Sequence, residues 1–358
     1  MLKRLNLLLL FFLPLSACAP QASLPLEPRE TELAAVEPTP IPATATIQPE
    51  AGIPERMRRG VNLGNALEAP NEGEWGMYIE QEYFDLIREA GFDFVRIPIR
   101  WDGHAGESAP YSLDPAFFAR VDEVLGWALE SDLIVIINVH HYASQSAEVA
   151  LSPERLVAIW GQIAEHYQDY PPEVVFELFN EPDNTISASQ WNAVVAQLLN
   201  VVRESNPERE VVIGGIFWNA FDQLKFLQIP ADDEHLMATF HYYHPFEFTH
   251  QGADWAEGSE AWLGRTWDGS QEEKAQVADD FDQVARWAAE HNLPVLLGEF
   301  GAYSKADLAS RARWTAYIRE QAELKQFPWA YWEFAAGFGV YDRQARDWNN
   351  ALKEALLP

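Results

Sequence analysis

The chain has 358 residues, 48% of them apolar and 13% aromatic, enough for one large core of about 250–300 residues or two smaller ones. Fifty-five acidic residues against 25 basic ones leave a net charge of −30, which excludes the basic footprint of a nucleic-acid-binding protein. Cys18 is the only cysteine, so no intrachain disulfide is available and stability must come from packing.

Met1-Leu2-Lys3-Arg4 is a basic start, and Leu5 to Leu15 is an apolar run of signal-peptide length. It is shorter than the ~20 residues needed to cross a bilayer. Leu15-Ser16-Ala17-Cys18 follows, and the whole stretch resembles a bacterial lipoprotein signal, cleaved before a cysteine that then carries lipid. The alternative is an ordinary secretory signal, with Ser16-Ala17 supplying small residues near the cleavage point. Both readings imply export. The first makes Cys18 the lipidation site and puts the protein at a cell surface, touching membrane through its anchor alone. Residues 19–51 are rich in Pro, Thr, Ala and Glu without apolar periodicity, a composition that cannot bury enough surface to order itself. They are expected to form a disordered tether. The organisation is therefore a signal over 1–18, a linker over 19–51 and one folded domain over 52–358.

Within that domain, short apolar runs alternate with helical patterns. Strands are expected at Arg59–Gly64, Asp93–Ile99, Leu133–His140, Val174–Asn180, Val211–Gly215, Leu236–Tyr243, Pro294–Phe300 and Pro328–Phe334. Helices are expected at Tyr78–Ala90, Pro115–Glu130, Pro153–Gln168, Ala188–Glu204, Phe221–Gln228, Glu272–His291, Lys305–Leu324 and Trp348–Leu357. Such alternation implies crossover units and a parallel sheet. Runs such as LIVIINV and PVLLGEF are apolar throughout, as strands buried on both faces should be. Eight units over about 300 residues is the count of an α/β fold of the single (β/α)8 TIM-barrel type. A doubly wound open sheet is the competitor, but no glycine-rich phosphate fingerprint follows the first strand.

Barrels of this type carry their chemistry at the carboxyl ends of the strands. There the sequence places Asn65 and Glu68, Arg96, His140 and His141, Asn180 and Glu181, His241 and Tyr243, Glu299, and Trp332 and Glu333. Two of these, Glu181 and Glu299, end the fourth and seventh strands and share one rim. A carboxyl pair flanking a reactive centre is the equipment of glycoside hydrolysis, one protonated and the other ionised. Zinc ligation by the same histidines and glutamates is the rival, but no His-Glu-x-x-His or similarly compact spacing is present, so no metal and no cofactor are expected. A Gly-x-Ser-x-Gly elbow is absent as well. Trp75, Trp101, Trp218, Trp255, Trp262, Trp267 and Trp332 fall in predicted loops or at strand ends and are candidate platforms for the flat faces of sugars, against core packing as the alternative. Trp127, Trp160, Trp191, Trp287 and Trp314 fall in helical patterns and are expected to pack on the barrel.

Arg96 in VRIPIRW, His140 in INVHHY, Asn180-Glu181 in FELFNEP, His241 and Tyr243 in TFHYYHPFEFTHQG, Glu299 in LLGEFG and Trp332 in WAYWEFAAGFGVYD together resemble glycoside hydrolase family 5. The resemblance covers roughly residues 55–356. Through GVNLGNALEAPNEGEWG and FTHQGADW it is nearest to bacterial endoglucanases that also accept mannans. It implies a cofactor-free retaining endo-β-1,4-glucanase, with Glu181 as general acid/base and Glu299 as nucleophile. Asn180 would bond the sugar 2-hydroxyl, Tyr243 and Arg96 would hold Glu299, His140 and His241 would shape the −1 subsite, and Trp332 would floor it. Asn65, Glu68, His141, His250 and Trp255 would line the cleft further out. The alternatives are an endo-β-1,4-mannanase, an enzyme with both activities, and a lipoprotein that binds oligosaccharide without cleaving it. The segments outside the barrel are too short and polar for a carbohydrate-binding module, which favours soluble or amorphous glucan over crystalline cellulose. A monomer is expected.

One stretch, ELFNEPD, holds three acids. Glu177 lies four residues before Glu181, so strand alternation turns both toward the barrel interior. It is expected to be buried and ionised beside a cationic or strong hydrogen-bonding partner, because an unpartnered buried carboxylate costs several kcal/mol. Asp183 is expected to be a solvated loop acid or a cap near the next helix. The role of Glu333 is open.

Overall fold

The computed structural model describes residues 52–142 and 152–358. Cys18 and the expected signal and tether lie outside the described residues. Eight parallel strands close into a barrel in chain order: β1 (Arg59–Asn62), β2 (Phe94–Ile97), β3 (Ile134–Asn138), β4 (Val174–Glu177), β5 (Val211–Gly214), β6 (Leu236–His241), β7 (Val295–Phe300) and β8 (Trp329–Tyr331). Each lies inside the run predicted for it. Closure is made by β8 on β1, through Arg59–Trp329 and Val61–Tyr331 pairings.

The expected helices form at Gln81–Ala90, Pro115–Glu130, Pro153–His166, Ala188–Ser205, Gln271–His291, Leu308–Leu324 and Asn350–Leu356. Their starts follow the sequence: Ser187 and Ser270 each close a capping box, with Gln190 and Glu273. Phe221–Gln228 departs from expectation, because only Phe221–Phe226 winds up and does so as a 3-10 helix. A segment this short cannot repay α-helix nucleation, and 3-10 turns are the usual outcome. A short helix at Ile53–Arg56 and an antiparallel pair, Tyr341–Asp342 with Asp347–Trp348, were not expected.

Burial on both strand faces separates two cores. Alternate residues such as Val135 and Ile137 face the helices, while Phe94, Ile134, Ile136, Val175, Val212, Met237, Leu296 and Ala330 form a second cluster, joined by Ile53 and Met57. Along the same strand faces, one step toward the carboxyl ends, the residues turn polar: Asn62, Arg96, Asn138, Glu177 and Thr239, all fully buried. This polar layer is the base of the site.

Candidate active site

The ladders stop short of the predicted strand ends. β3 ends at Asn138, β4 at Glu177 and β8 at Tyr331, so His140, Asn180, Glu181, Trp332 and Glu333 stand just beyond paired backbone. There the chains diverge, and their side chains can converge over the barrel mouth.

Arg96 organises the layer beneath. Its guanidinium holds Glu177 by two bonds, Nε to Oε2 at 2.5 Å and an η nitrogen to Oε1 at 2.8 Å. The same group donates to Asn62 Oδ1 at 2.8 Å, Glu299 Oε1 at 2.7 Å and Asn180 Oδ1 at 2.6 Å. All five donors are thus directed by one saturated network. Arg96 and Glu177 are both fully buried, and the carboxylates around Arg96 hold its proton more tightly than usual despite the burial. Glu177 therefore has the buried position and cationic partner expected of it. Asp183 instead accepts from Thr185 N at 2.8 Å, and the following helix is capped by Ser187.

Glu299 reaches the interior through an irregularity of β7. Leu296 pairs with Thr239 and Leu297 with Phe240, but the next partner of β6, His241, meets Glu299 and skips Gly298. The pairing with β8 slips at the same place. Strict alternation from the interior Leu296 would turn Glu299 outward; one extra residue turns it in. Gly298 fits because it lacks a side chain: a Cβ there would stand 2.6 Å from Thr239 Oγ1 and 3.0 Å from His241 Nε2. Its carbonyl accepts from Asn62 Nδ2 at 3.1 Å, so Asn62 ties the bulge to Arg96.

Glu299 Oε2 accepts from the Tyr243 hydroxyl at 2.9 Å, and His241 Nδ1 lies 2.6 Å from Glu181 Oε1 and 3.6 Å from Glu299 Oε2. Ligand atoms of Glu181, His241 and Glu299 all fall within 4.8 Å of one another. Among the described residues these three could hold a metal, but Arg96 already sets a fixed positive charge against Glu299, which opposes a cation there. Burial pushes Glu181 up to about 8, with Arg96 opposing and Glu177 adding to the rise. Burial lifts Glu299 as well, against the pull of Arg96. His241 is pushed down to about 4 by burial and is neutral near pH 7, and His140 is held well below its ordinary value for the same reason. The environment thus keeps one carboxyl protonated while two donors, Arg96 and the Tyr243 hydroxyl, favour the charge on the other.

Trp332 lies parallel to His140, ring centroids 5.5 Å apart, over Gly64, where a Cβ would come within 2.8 Å of the indole. Other predicted positions are placed further from the centre. Glu68 is buried and accepts from the backbone N–H groups of Asn65 and Ala66, which braces the turn after β1. Glu333, also buried, accepts from the N–H groups of Ala335, Ala336 and Phe338 and shapes the loop after β8. Burial pushes Glu68 to about 8 and Glu333 to about 7, with the Glu333 charge adding slightly to the former. His250 is buried behind Tyr243, stacked on Phe246 at 4.0 Å, whereas Trp255 is exposed beside Tyr303 and Phe338. Asn65 adopts a left-handed φ of 65° at the rim.

Two of the candidate sugar platforms are packing residues: Trp101 and Trp267 are buried, Trp101 donating to the Asn138 carbonyl. A tryptophan in a loop reads alike in sequence whether it packs inward or faces out. Trp75, Trp218 and Trp255 are exposed, while Trp160, Trp191, Trp287 and Trp314 are buried as expected. Asn62, Gly298 and Asn219, whose Nδ2 donates to the Asn180 carbonyl, were not singled out from the sequence. The one available signal was Asn62, a polar residue between the apolar Val61 and Leu63 of the first strand run.

Two carboxyls at this separation, one kept protonated by burial, suit acid-assisted displacement at an acetal carbon, and that chemistry defines the glycoside hydrolases. Residues 59–336 match the family model described as Cellulase (glycosyl hydrolase family 5), and the chain belongs to that family. Endoglucanase H of Acetivibrio thermocellus is 38% identical over 309 residues, 84% of this chain and 33% of its own length. This chain thus spans about a third of that relative. Endoglucanase A of Ruminococcus albus is 30% identical over 84% of this chain and 90% of its own. The crystal structure of endoglucanase Cel5A from Thermotoga maritima superposes with a TM-score of 0.82 at 46% identity, covering 86% of this chain and 100% of that one. The same Thermotoga protein has been crystallised with cellobiose and with mannotriose.

Proposed function

We propose that the protein is a retaining endo-β-1,4-glucanase acting on cellulose-type or mixed-linkage β-glucans. The observation that carries this reading is the approach of Glu181 and Glu299 to within 4.8 Å. A retaining pair needs ~5–5.5 Å, whereas inversion needs room for a water between the carboxyls. Glu181 donates its proton to the glycosidic oxygen as Glu299 attacks the anomeric carbon, forming a glycosyl ester. Esterification removes the Glu299 charge, so Glu181 then takes a proton from water more readily and the ester is hydrolysed. Asn180, with Oδ1 committed to Arg96, offers its amide donors to the sugar 2-hydroxyl, and Trp332 supports the ring. The expected lipid on Cys18 and the linker over 19–51 would hold a monomeric barrel at the cell surface.

Activity on β-mannan as well is the second reading, favoured by the Thermotoga relative's complexes with both sugars. Glucose and mannose differ only in the 2-hydroxyl, which Asn180 would face. Measuring reducing ends released from barley β-glucan and from galactomannan separates the readings: release from the first alone supports the glucanase, release from both the dual enzyme. No release from either would overturn the hydrolytic assignment.

A second expected outcome concerns pH. Glu181 must carry a proton to act as acid, and burial raises its pKa to about 8. Its acid form is therefore present below that value and lost as pH rises through it. The kcat/KM profile should fall on the alkaline side near pH 8, and Glu181→Gln should remove that limb for an aryl glycoside whose leaving group needs no proton. A profile still level well above pH 9 would reject Glu181 as the acid.

A further inference from the structure

The paired register of β4 and β5 ends at Glu177 and Val212, and Leu178 N makes the last bond between them, to the Val212 carbonyl at 3.1 Å. Past that point the loop after β5 takes over the β4 backbone. Trp218 N donates to the Pro182 carbonyl at 2.9 Å, and Asn219 Nδ2 donates to the Asn180 carbonyl. The two accepting carbonyls stand one residue after and one residue before Glu181. The loop reaches them through unusual backbone: Phe217, Trp218 and Asn219 have left-handed φ values of 55°, 57° and 54°, which bulky residues seldom adopt even singly. Both ends of this turn are tied. Trp191 Nε1 holds the Gly214 carbonyl at 2.8 Å, and Ala220 bridges to His241 of β6. Asn219 is buried over Gly214, where a Cβ would stand 2.1 Å from its Oδ1. That Oδ1 has no donor among the described residues, so the bond from Nδ2 is what offsets burial of the amide. Uncommon backbone persists where its surroundings over-determine it, and it gathers at functional sites.

We propose that Asn219 is a positioning residue for the acid: together with Trp218 N it clamps the chain on both sides of Glu181 and so sets where the proton donor stands. This rests on the retaining-glycanase reading above. Pro182 has no N–H, so the chain leaving Glu181 can be pinned at that residue only through its carbonyl. The Asn180 carbonyl belongs to the peptide that enters Glu181, and fixing it fixes the direction in which the Glu181 side chain departs. Arg96 holds the Asn180 side chain at 2.6 Å while Asn219 holds its backbone, which leaves Asn180 little freedom to turn and carry Glu181 with it. Proton transfer needs heavy atoms within ~2.6–3.2 Å, and a misplacement of ~1 Å can cost ~100-fold in rate.

Aryl β-cellobiosides graded in leaving group separate positioning of the acid from general damage. Dinitrophenolate departs without a proton, whereas phenolate needs one from Glu181. Asn219→Gly keeps the left-handed backbone accessible and removes only the amide. Its kcat/KM should fall by about 10–100-fold on the phenyl glycoside and by no more than about threefold on the dinitrophenyl one. Asn219→Asp, of the same shape but without the donor, should show the same split. Equal losses on both glycosides, or collapse of both variants, would mark Asn219 as a structural residue; no loss on either would remove the clamp. Each of these results overturns the proposal. A crystal structure of Asn219→Gly reads the clamp without turnover, since the Glu181 carboxyl should shift by about 1 Å or occupy two positions, and an unmoved carboxyl would overturn it as well. A parent protein that hydrolysed neither glycoside would count against the glycanase reading, while the crystallographic comparison would still decide the clamp.

Discussion

Glu299→Ala is expected to lower kcat on an aryl β-cellobioside by roughly 10⁴–10⁶-fold, the scale on which an enzyme loses rate when its nucleophile is removed. Added azide should restore turnover and give a glycosyl azide of inverted configuration. The geometry explains why a small anion could substitute. Truncation at Cβ opens a space faced by an Arg96 nitrogen and the Tyr243 hydroxyl, which in the intact protein donate to Glu299 at 2.7 and 2.9 Å. An azide there meets a fixed positive charge and a donor, directly below the anomeric carbon, with Glu181 still present as the acid. Product configuration, read by NMR, is the sharper measurement, because contaminating wild-type enzyme would return a retained product. Absence of rescue in a variant with an unaltered circular dichroism spectrum would reject Glu299 as the nucleophile.

Arg96→Met should be the most destabilising single change in the site, at about 3–5 kcal/mol, since it leaves a partner charge stranded in the interior. Glu177 is fully buried and relies on that guanidinium for both of its oxygens. The companion test is Arg96→Met combined with Glu177→Gln, which removes both charges. Denaturant unfolding of the double variant should recover much of the loss, while kcat stays at least about 100-fold down, because Glu299 and Asn180 have lost their donor. If the single variant unfolds within about 1 kcal/mol of the parent, or the double variant regains activity, the shared role of Arg96 is wrong.

The barrel was legible because its strands are short apolar runs buried on both faces, separated by amphipathic helices with ordinary caps. Periodicity found all eight, and only their ends were drawn too long, through residues that leave the ladder to form the site. Glu181 was legible for a related reason: a carboxylate beside Asn180 at the end of an apolar strand has few structural explanations. Glu299 was found by its neighbours in sequence, although period-two alternation alone would have turned it out of the barrel. The bulge that turns it inward depends on pairing with β6 and β8, and such non-local register leaves no mark in LLGEFG except a glycine. Asn62 went unnoticed because its contribution is to connect Arg96 with Gly298, a contact between strands distant in sequence. Glu68 and Glu333 show the converse: strand-end acids that turn back onto their own loops' N–H groups.

Sharing one guanidinium between Glu177 and Glu299 has a consequence for the reaction cycle. In the resting state two acids divide a single counter-ion. In the proposed double displacement, Glu299 becomes a neutral ester for part of every turnover, and a cation paired with it alone would then lie unneutralised in a dry interior. Glu177 takes no part in the bond changes and stays charged throughout. The barrel therefore never contains an orphaned positive charge, and the field acting on Glu181 changes by the loss of the Glu299 charge alone. Glu177 works as a standing ballast: it keeps Arg96 fixed while its other partner alternates between anion and ester.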